Sequence, residues 1–242
     1  MSDNFEQTIS NIDNFYESLG AFLLDLNLAE SYKVLYKSDS SPVSELDILI
    51  NDYVERYLDL HLSDFQLISE EKSQNCEIIS GNLVILDPLD GTENFVSGIP
   101  IWGVGVAVYL NSKLFSGIIF FPEIRKFDCS ENTGIKHLKG FQKMSKPRHI
   151  SRISGLSSNH GELRLKNSPD AEFRIFGSAL FNLTLTANRA ITYVPSPYGS
   201  WIWDIAPGLI MCLERGFTIY VDGQIFDGKV LNPRERHFIE IR

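Results

Sequence analysis

The sequence predicts an α/β protein whose N-terminal part is α+β and whose C-terminal part is α/β. Three patterns support this prediction. Apolar residues recur every three or four positions near the N-terminus, short β-rich runs stop at polar turns, and strand-like runs alternate with helical ones in the second half. Strands that alternate with helices indicate layered packing. A chain of 242 residues is long enough for a sizeable core, in one domain or two small ones.

Two amphipathic helices are predicted at the start of the chain. The first follows from apolar residues at helical spacing, namely Phe5, Ile9, Ile12, Tyr16, Leu19, Leu23 and Leu26. Ser44 is typical of an N-cap and predicts a second helix from Glu45 to about His61. The buried side of this second helix is predicted to carry Leu46, Leu49, Tyr53, Tyr57 and Leu60. Residues 38–42 are polar and predict a loop.

The strands of the N-terminal part are short apolar runs that end at polar residues. Runs at 65–69 and 82–86 predict two strands, with a loop at 73–77 between them. Runs at 104–109 and 114–121 predict a hairpin that turns at 111–113. A polar stretch at 144–148 predicts a boundary between residues 1–145 and residues 146–242, with the active site between the two parts.

The C-terminal part is predicted to alternate strands with helices. Strands are expected at 149–153, 173–176, 191–194, 217–221 and 237–241, and a polar connection at 161–170. Helices are expected from about Ala179 to Asn188 and from Ile205 to Arg215. The second of these would begin at Asp204, carry Pro207 in its first turn and stop at Gly216.

Composition and charge exclude several classes of function. The formal net charge is −9, which argues against a nucleic-acid polymer or an anionic membrane as partner. The three cysteines form no Cys-x-x-Cys pair, as is typical of a protein in a reducing cytoplasm. The first ten residues do not have the pattern of a signal peptide, and no apolar run is long enough for a membrane span.

The stretch from Gly81 to Phe95 carries the clearest functional signal. An apolar strand stops at Asp87, and Pro88 and Gly91 constrain a turn that holds Asp87 and Asp90 together. Residues 91–94 can open a helix, whose first N–H groups form a seat for phosphate.

Two further acidic sites lie at the ends of predicted elements. Glu70 follows a strand, and Asp204 borders an apolar segment. Carboxylates and carbonyl oxygens are the ligands that Mg²⁺ prefers, and substrate phosphate often completes its shell. The sequence therefore predicts a Mg²⁺ site that shares a turn with an anion site.

Four motifs resemble the signatures of the inositol monophosphatase superfamily, in order and in rough spacing. They are Ile68-Ser69-Glu70-Glu71, Asp87-Pro88-Leu89-Asp90-Gly91-Thr92-Glu93-Asn94-Phe95, Trp203-Asp204-Ile205-Ala206-Pro207-Gly208 and the segment from Lys37 to Asp47. The resemblance covers about residues 5 to 222 and implies a layered αβαβα sugar-phosphatase-like fold. It also implies a Mg²⁺-dependent, lithium-sensitive phosphatase that acts on a small phosphorylated metabolite, and a homodimer.

The resemblance also implies a role for each matching residue. One Mg²⁺ would be held by Glu70, Asp87 and the Leu89 carbonyl, a second by Asp87, Asp90 and Asp204, and a third by Glu70 and waters. Thr92, hydrogen-bonded to Asp47, would help Glu70 to position and deprotonate the attacking water. The substrate would contact Asp90, Gly91, Thr92, Gly177, Ser178 and Asp204. Asp47 has a simpler reading as well, since a carboxylate in a first helical turn complements the helix dipole.

The identity of the substrate is open at this point. Inositol 1-monophosphate comes first by resemblance, but family members that prefer inositol carry a carboxylate seven residues before the Trp-Asp aspartate, where this chain has Pro197. A 3′(2′),5′-bisphosphate nucleotidase, a fructose-1,6-bisphosphatase or a histidinol-phosphatase fits the same core. Two rival readings are a haloacid-dehalogenase phosphatase and a non-catalytic binding protein that retains the fold.

Overall fold

A central six-stranded sheet organises the molecule. The computed structural model describes residues 2–28, 32–36, 42–71, 80–147, 152–157 and 172–242. The sheet has the order β3-β4-β5-β6-β7-β8, with β3 parallel to β4, β7 parallel to β8 and the other neighbours antiparallel. Its strands are β3 (Phe65–Ser69), β4 (Asn82–Asp90), β5 (Gly103–Leu110), β6 (Lys113–Phe121), β7 (Lys126–Cys129) and β8 (Gln142–Lys143). The hairpin predicted from the sequence is β5–β6, and Asn111 and Ser112 make its turn with φ of 49° and 65°.

The two N-terminal helices cover one face of this sheet. They are α1 (Ser2–Asp25) and α2 (Glu45–His61), and between them β1 (Val34–Tyr36) pairs with β2 (Pro42–Ser44). Ser44 caps α2 in a capping box with Asp47. Part of the predicted buried side of α2 is wrong, because Leu49 and Leu60 are exposed. The helix buries the row Leu46, Ile50, Val54 and Leu58, which faces the sheet at a spacing of four.

Two C-terminal helices cover the opposite face. They are α4 (Ala179–Ala187) and α5 (Ile202–Glu214), which pack on Ile119 and Phe121 of β6 and on Leu83 and Ile85 of β4. The α5 backbone lies very close to the sheet, since a Cβ added at Gly117 of β6 would lie 2.8 Å from the Pro207 carbonyl oxygen. The absence of a side chain at Gly117 therefore sets how deeply α5 sits.

Two small sheets complete the C-terminal part. Parallel strands β9 (Ile153–Leu156), β10 (Glu172–Ile175) and β11 (Thr192–Tyr193) form one sheet in the order β10-β9-β11. Antiparallel strands β12 (Ile219–Val221), β13 (Gln224–Ile225) and β14 (Ile239–Ile241) form the other, in the order β13-β12-β14. Helix α4 lies between the large sheet and β9, because Leu180 reaches Gly105 on one side and Asn182 reaches Gly155 on the other.

Several predicted bounds fall differently in the structure or outside its description. The strand predicted at 149–153 begins at Ile153, and residues 148–151 are not among those described. The segments predicted as loops or connections at 38–41, 73–77 and 161–170 also lie outside the described residues. The division of the chain at residue 145 stays a prediction. No described helix is long and apolar enough to cross a membrane.

A buried ion pair joins the far ends of α4 and α5 to β7. Asp128 is fully buried and accepts hydrogen bonds from both terminal nitrogens of Arg215, each at 2.8 Å. Asn188 donates to the same carboxylate at 2.7 Å. Arg215 and Asn188 are the C-caps of α5 and α4. The Arg215 cation at a helix C-terminus also complements the helix dipole. These contacts therefore fix α4 and α5 at their C-terminal ends, away from the ends that carry Asp90 and Asp204.

Candidate active site

A β-bulge in β4 places Asp87 and Asp90 on the same face of the sheet. Asp87 pairs with Gly105 and Asp90 with Gly103, so β4 advances by three residues while β5 advances by two. Without the extra residue, side chains three apart would point to opposite faces. Pro88 supplies no N–H to the ladder, which suits a bulge. Both carboxylates thus point toward α4 and α5, while Leu89 packs in the core beside α1 and α2.

Asp90 binds the N-terminus of α4. Its carboxylate accepts hydrogen bonds from the Ser178 hydroxyl, the Leu180 amide at 2.8 Å and the Ala179 amide at 3.1 Å. Ser178 is the N-cap, and its Oγ accepts the Phe181 amide at 3.0 Å. Asp90 of β4 and the N-cap Ser178 together accept the first amides of α4. Ser178, a predicted substrate contact, therefore lies next to Asp90.

Asp204 lies in the first turn of α5. Its carboxylate accepts the Trp201 amide at 3.0 Å, which is one of the two hydrogen bonds of a capping box. The predicted start of this helix is wrong by three residues, because α5 begins at Ile202 and not at Ile205. Pro207 consequently lies inside the helix and not in its first turn. The apolar run Trp201-Ile202-Trp203 obscured the true cap, since it contains none of the usual capping residues.

Asp87, Asp90 and Asp204 form an acidic cluster with Glu70, which follows β3. Asp87 is 1% exposed, and its pKa is raised well above the ordinary value by burial and by the charges of the other three members. Burial, then Asp90 and Glu70, raise the pKa of Asp204 to about 8. Burial raises the pKa of Asp90 to about 6 although its hydrogen bonds oppose the shift. The cluster is therefore a concentration of poorly compensated negative charge.

The chemistry of this cluster fits a divalent cation. Four carboxylates and the Leu89 carbonyl are hard oxygen donors, and a cation would relieve the repulsion that raises their pKa values. The site is not preformed, however. Among the residues that the structure describes, no three His, Cys, Asp or Glu side chains already stand in the arrangement of a metal site. Asp90 and Asp204 are engaged with the amides of α4 and Trp201, so binding an ion requires their carboxylates to share or exchange these partners.

Asp47 and Thr92 lie beside the cluster but have other hydrogen-bond partners. The Thr92 hydroxyl donates to the Leu89 carbonyl at 3.0 Å. Asp47 accepts the Ser44 amide and hydroxyl, both at 2.7 Å. Because a hydroxyl has one proton, Thr92 does not donate to Asp47 in this structure, in contrast to the hydrogen bond expected from the sequence. Burial, together with the charges of Glu70 and Glu71, raises the pKa of Asp47 to about 6, although its bonds with Ser44 lower it.

The predicted substrate contacts Gly91, Gly177 and Ser178 lie side by side. Gly91 has φ of 88° and is the N-cap of the short helix α3 (Thr92–Val96). A Cβ at Gly91 would lie 3.2 Å from the Gly177 carbonyl oxygen and 3.4 Å from the Ser178 Cβ. Asn94 holds this junction by donating to the carbonyls of Ile101 and Phe176, at 2.5 and 2.7 Å.

A cavity of about 140 Å³ opens beside Asp90 and Asp204. Its other lining residues are Ser157, Gly177, Ser178, Ala179, Asn182, Tyr193, Val194, Ser196, Gly199, Ser200 and Arg236. Five of these lining residues belong to the segment from Tyr193 to Ser200, which leads to α5. Arg236 was missed, because it lies beyond the matched motifs and nothing in its sequence surroundings marks a site.

Comparison with known proteins agrees with these features. The model of the inositol monophosphatase family matches residues 17–240. The chain is 25% identical to an inositol-1-monophosphatase of Mesorhizobium japonicum, over 82% of this chain and 79% of that one. It is 27% identical to a 3′(2′),5′-bisphosphate nucleotidase of Buchnera aphidicola, over 88% of this chain and 87% of that one.

The fold is also that of solved relatives. An IMPase of Thermotoga maritima superposes with a TM-score of 0.70 at 22% identity, covering 98% of this chain and 91% of that one. The layers of helix and sheet predicted from the sequence are thereby confirmed. Since the family match spans the whole acidic cluster and both parts of the chain, this protein is a phosphatase that belongs to the inositol monophosphatase family.

Proposed function

We propose that the chain hydrolyses a small-molecule phosphate monoester with Mg²⁺, in the manner of an inositol monophosphatase. The observation that carries this proposal is the bulge in β4, which turns Asp87 and Asp90 toward Asp204 and Glu70. Family members are generally metal-dependent phosphatases. The donor set is that of a Mg²⁺ site, and the adjoining cavity has room for a small polar molecule beside Asp90 and Asp204.

The proposed ligands follow from the position of each donor. Glu70, Asp87 and the Leu89 carbonyl would hold one ion, and Asp87, Asp90 and Asp204 a second, with a third on Glu70. Ions bound there neutralise the phosphate, lower the pKa of a water and stabilise the leaving oxygen. Asp87 would be the donor common to two ions, which is consistent with the charges of both Glu70 and Asp90 acting on it.

The remaining residues orient the nucleophile and the ester. Glu70, with Thr92 and Asp47 beside it, would accept the proton of the attacking water. The water oxygen would bond to phosphorus and the ester P–O bond would break. The leaving alkoxide would take a proton from solvent water, and Glu70 would later release its proton to solvent. For Asp47 to assist, the Thr92 hydroxyl must rotate from the Leu89 carbonyl, which we expect when that carbonyl binds an ion. The phosphate would lie against Gly91, Thr92 and the N-terminus of α4, where backbone amides favour an anion.

Further properties of this proposal come from the family resemblance and from the charge and cysteine content of the sequence. They are inhibition by lithium, a cytoplasmic location and a homodimer, with neither a nucleic-acid polymer nor a membrane as partner. The substrate candidates are inositol 1-monophosphate first, then a 3′(2′),5′-bisphosphate nucleotide, fructose 1,6-bisphosphate and histidinol phosphate.

The test is release of inorganic phosphate from these four esters with Mg²⁺, repeated with EDTA and with Li⁺. We expect metal-dependent turnover that Asp87→Asn lowers by at least about a thousandfold, because the variant removes the shared ligand. Asp64→Asn, an exposed carboxylate on the loop before β3, is the matched control and should leave turnover unchanged. Full activity in Asp87→Asn would refute the two-ion arrangement. An acyl-phosphate trapped on Asp87 would instead indicate the haloacid-dehalogenase mechanism.

A further inference from the structure

We propose that Arg236 determines substrate specificity by binding a second anionic group on the alcohol part of the ester. The inferred substrate class is a small bisphosphorylated molecule, with one phosphate at the acidic cluster and another at Arg236. This inference rests on the proposed phosphatase function, and it ranks the two bisphosphate candidates above inositol 1-monophosphate and histidinol phosphate. It follows from how Arg236 is held and from the polarity of the cavity wall around it.

Arg236 is held against the cavity wall by the backbone pairing of its neighbour His237 and by two contacts of its own guanidinium. The Ser200 amide donates to the His237 carbonyl at 2.9 Å, and the His237 amide donates back to Ser200 at 2.8 Å, so this segment is fixed to the loop before α5. The guanidinium donates to the Gly199 carbonyl at 3.3 Å. It also lies 4.8 Å from the centre of the Trp201 ring. A stacked guanidinium keeps its planar set of donors oriented, which suits recognition of an oxyanion.

Arg236 adds a positive charge to a cavity that is also lined by acidic side chains. Among the described lining residues, the acidic side chains are Asp90 and Asp204, and Arg236 is the basic one. Ions bound at Asp90 and Asp204 would take the phosphate that is cleaved. Arg236 then offers a positive charge in the same cavity, in a protein whose formal net charge is −9. An ammonium group on the substrate would be repelled there, whereas a second phosphate would be attracted.

The serines near Arg236 also favour a ligand that accepts hydrogen bonds. The Ser196 hydroxyl oxygen accepts the Tyr198 amide at 3.3 Å, so its own proton can be donated to a ligand. Both Ser196 and Ser200 line the cavity and both are buried, but the Ser200 side chain already hydrogen-bonds to Tyr193, so Ser196 is the serine that can donate to a ligand. Together with the guanidinium, this part of the wall presents donors. Phosphate oxygens accept hydrogen bonds without donating any, so they match it better than the hydroxyls of a neutral polyol.

A simpler role for Arg236 predicts a different result. Its charge reaches Asp204, where it opposes the rise in pKa caused by burial and by Asp90. If Arg236 only offset the charge of Asp204, its loss would weaken ion binding and slow all esters equally. The ratio of kcat/KM between a bisphosphate and its matched monophosphate cancels such an effect, because only contact with the second phosphate changes this ratio.

The experiment measures that ratio for two matched pairs with Mg²⁺. The pairs are fructose 1,6-bisphosphate with fructose 1-phosphate, and adenosine 3′,5′-bisphosphate with adenosine 3′-phosphate. We expect the wild type to prefer the bisphosphate in at least one pair, and the preferred pair tells whether a sugar or a nucleoside carries the second phosphate. Arg236→Gln should lower the ratio about tenfold to a hundredfold, as expected for one charge-assisted contact. Arg236→Lys should retain part of it, since a lysine keeps the charge but not the planar fork.

The control is Arg234→Gln, which removes a positive charge from the same loop but not from the cavity lining. It should leave the ratio unchanged. A wild type without preference, or a ratio that Arg236→Gln does not alter, overturns the inference even though turnover supports the proposed function. If no ester is hydrolysed, the proposed function fails. Calorimetric binding of both members of each pair to wild type and Arg236→Gln, with Mg²⁺ present, then decides whether Arg236 binds a second phosphate.

Discussion

Gly117→Ala tests whether the close packing of α5 on the sheet determines the position of Asp204 in the acidic cluster. The added methyl group would lie 2.8 Å from the Pro207 carbonyl oxygen and 3.2 Å from its Cα, and both are backbone atoms that cannot rotate away. Ordinary contacts begin at 3.4 Å, so relief of the closest contact requires α5 to move outward by 3.4 − 2.8 = 0.6 Å. Asp204 belongs to the same helix and would move with it.

The magnitude follows from two separate costs. Overpacking of a buried contact destabilises a protein by about 1–3 kcal/mol. A displacement of about 1 Å of a catalytic group can cost about a hundredfold in rate, so a shift of about half that size should lower kcat/KM roughly tenfold and weaken Mg²⁺ activation. Stability is measured by urea denaturation, and activation by phosphate release against Mg²⁺ concentration.

The matched control carries the same substitution on the other side of the sheet. Gly20 lies in α1, and a Cβ there would meet the end of the Phe120 ring at 3.1 Å, far from α5. Alanine is also the better helix former by about 0.5–1 kcal/mol. Gly20→Ala should therefore keep both stability and Mg²⁺ activation. If Gly117→Ala kept wild-type Mg²⁺ activation, close seating of α5 would not be what positions Asp204.

Two further predictions concern charge. Arg215→Met leaves the buried Asp128 without its ion-pair partner, so urea denaturation should show a loss of about 3–5 kcal/mol in the free energy of unfolding. Adding Asp128→Asn should recover part of this loss. A loss below about 1 kcal/mol would mean that the pair behaves like an exposed ion pair. The metal-free protein should become less stable as pH rises from about 4 to 8, because Asp204 and Asp90, raised from 3.8 to about 8 and about 6, retain protons in the fold that the unfolded chain has lost. Thermal unfolding in EDTA, measured from about pH 4 to 8, checks whether stability falls as pH rises. Added Mg²⁺ should restore stability most at the alkaline end. A stability that does not change with pH would contradict the raised pKa values.

The features that the sequence predicted well depend on residues close together in the chain. The convergence of Asp87 and Asp90 depends on residues 87–91, although the predicted end of the strand at residue 86 is wrong, because β4 continues through a bulge to Asp90. The N-cap at Ser44 is a local motif as well. Features that depend on packing were predicted less well. Leu49 has the periodicity of a buried residue, yet it is exposed because Leu46 and Ile50 take the contact with the sheet.

The start of α5 and the role of Arg236 were missed for two different physical reasons. The cap of α5 is unusual in type, whereas the pairing that positions Arg236 joins residues remote in the chain. Trp201 serves as an N-cap without the side chain of one, and Arg236 reaches the cavity through pairing of His237 with Ser200. Such pairings bring together segments that a one-dimensional pattern cannot relate.

Asp87 and Asp90 lie on one bulge, but their loss would have opposite effects on the stability of the metal-free fold. Asp87 is buried among like charges, so its replacement by a neutral residue should strengthen the metal-free fold. Asp90 holds the first amides of α4, and its loss should cost about 0.5–2 kcal/mol, as for other helix caps. A descendant that no longer hydrolysed phosphate would therefore be free to lose Asp87 while still keeping Asp90. In a divergent homologue, an aspartate at the second position alone would be evidence of an intact helix and not of an active enzyme.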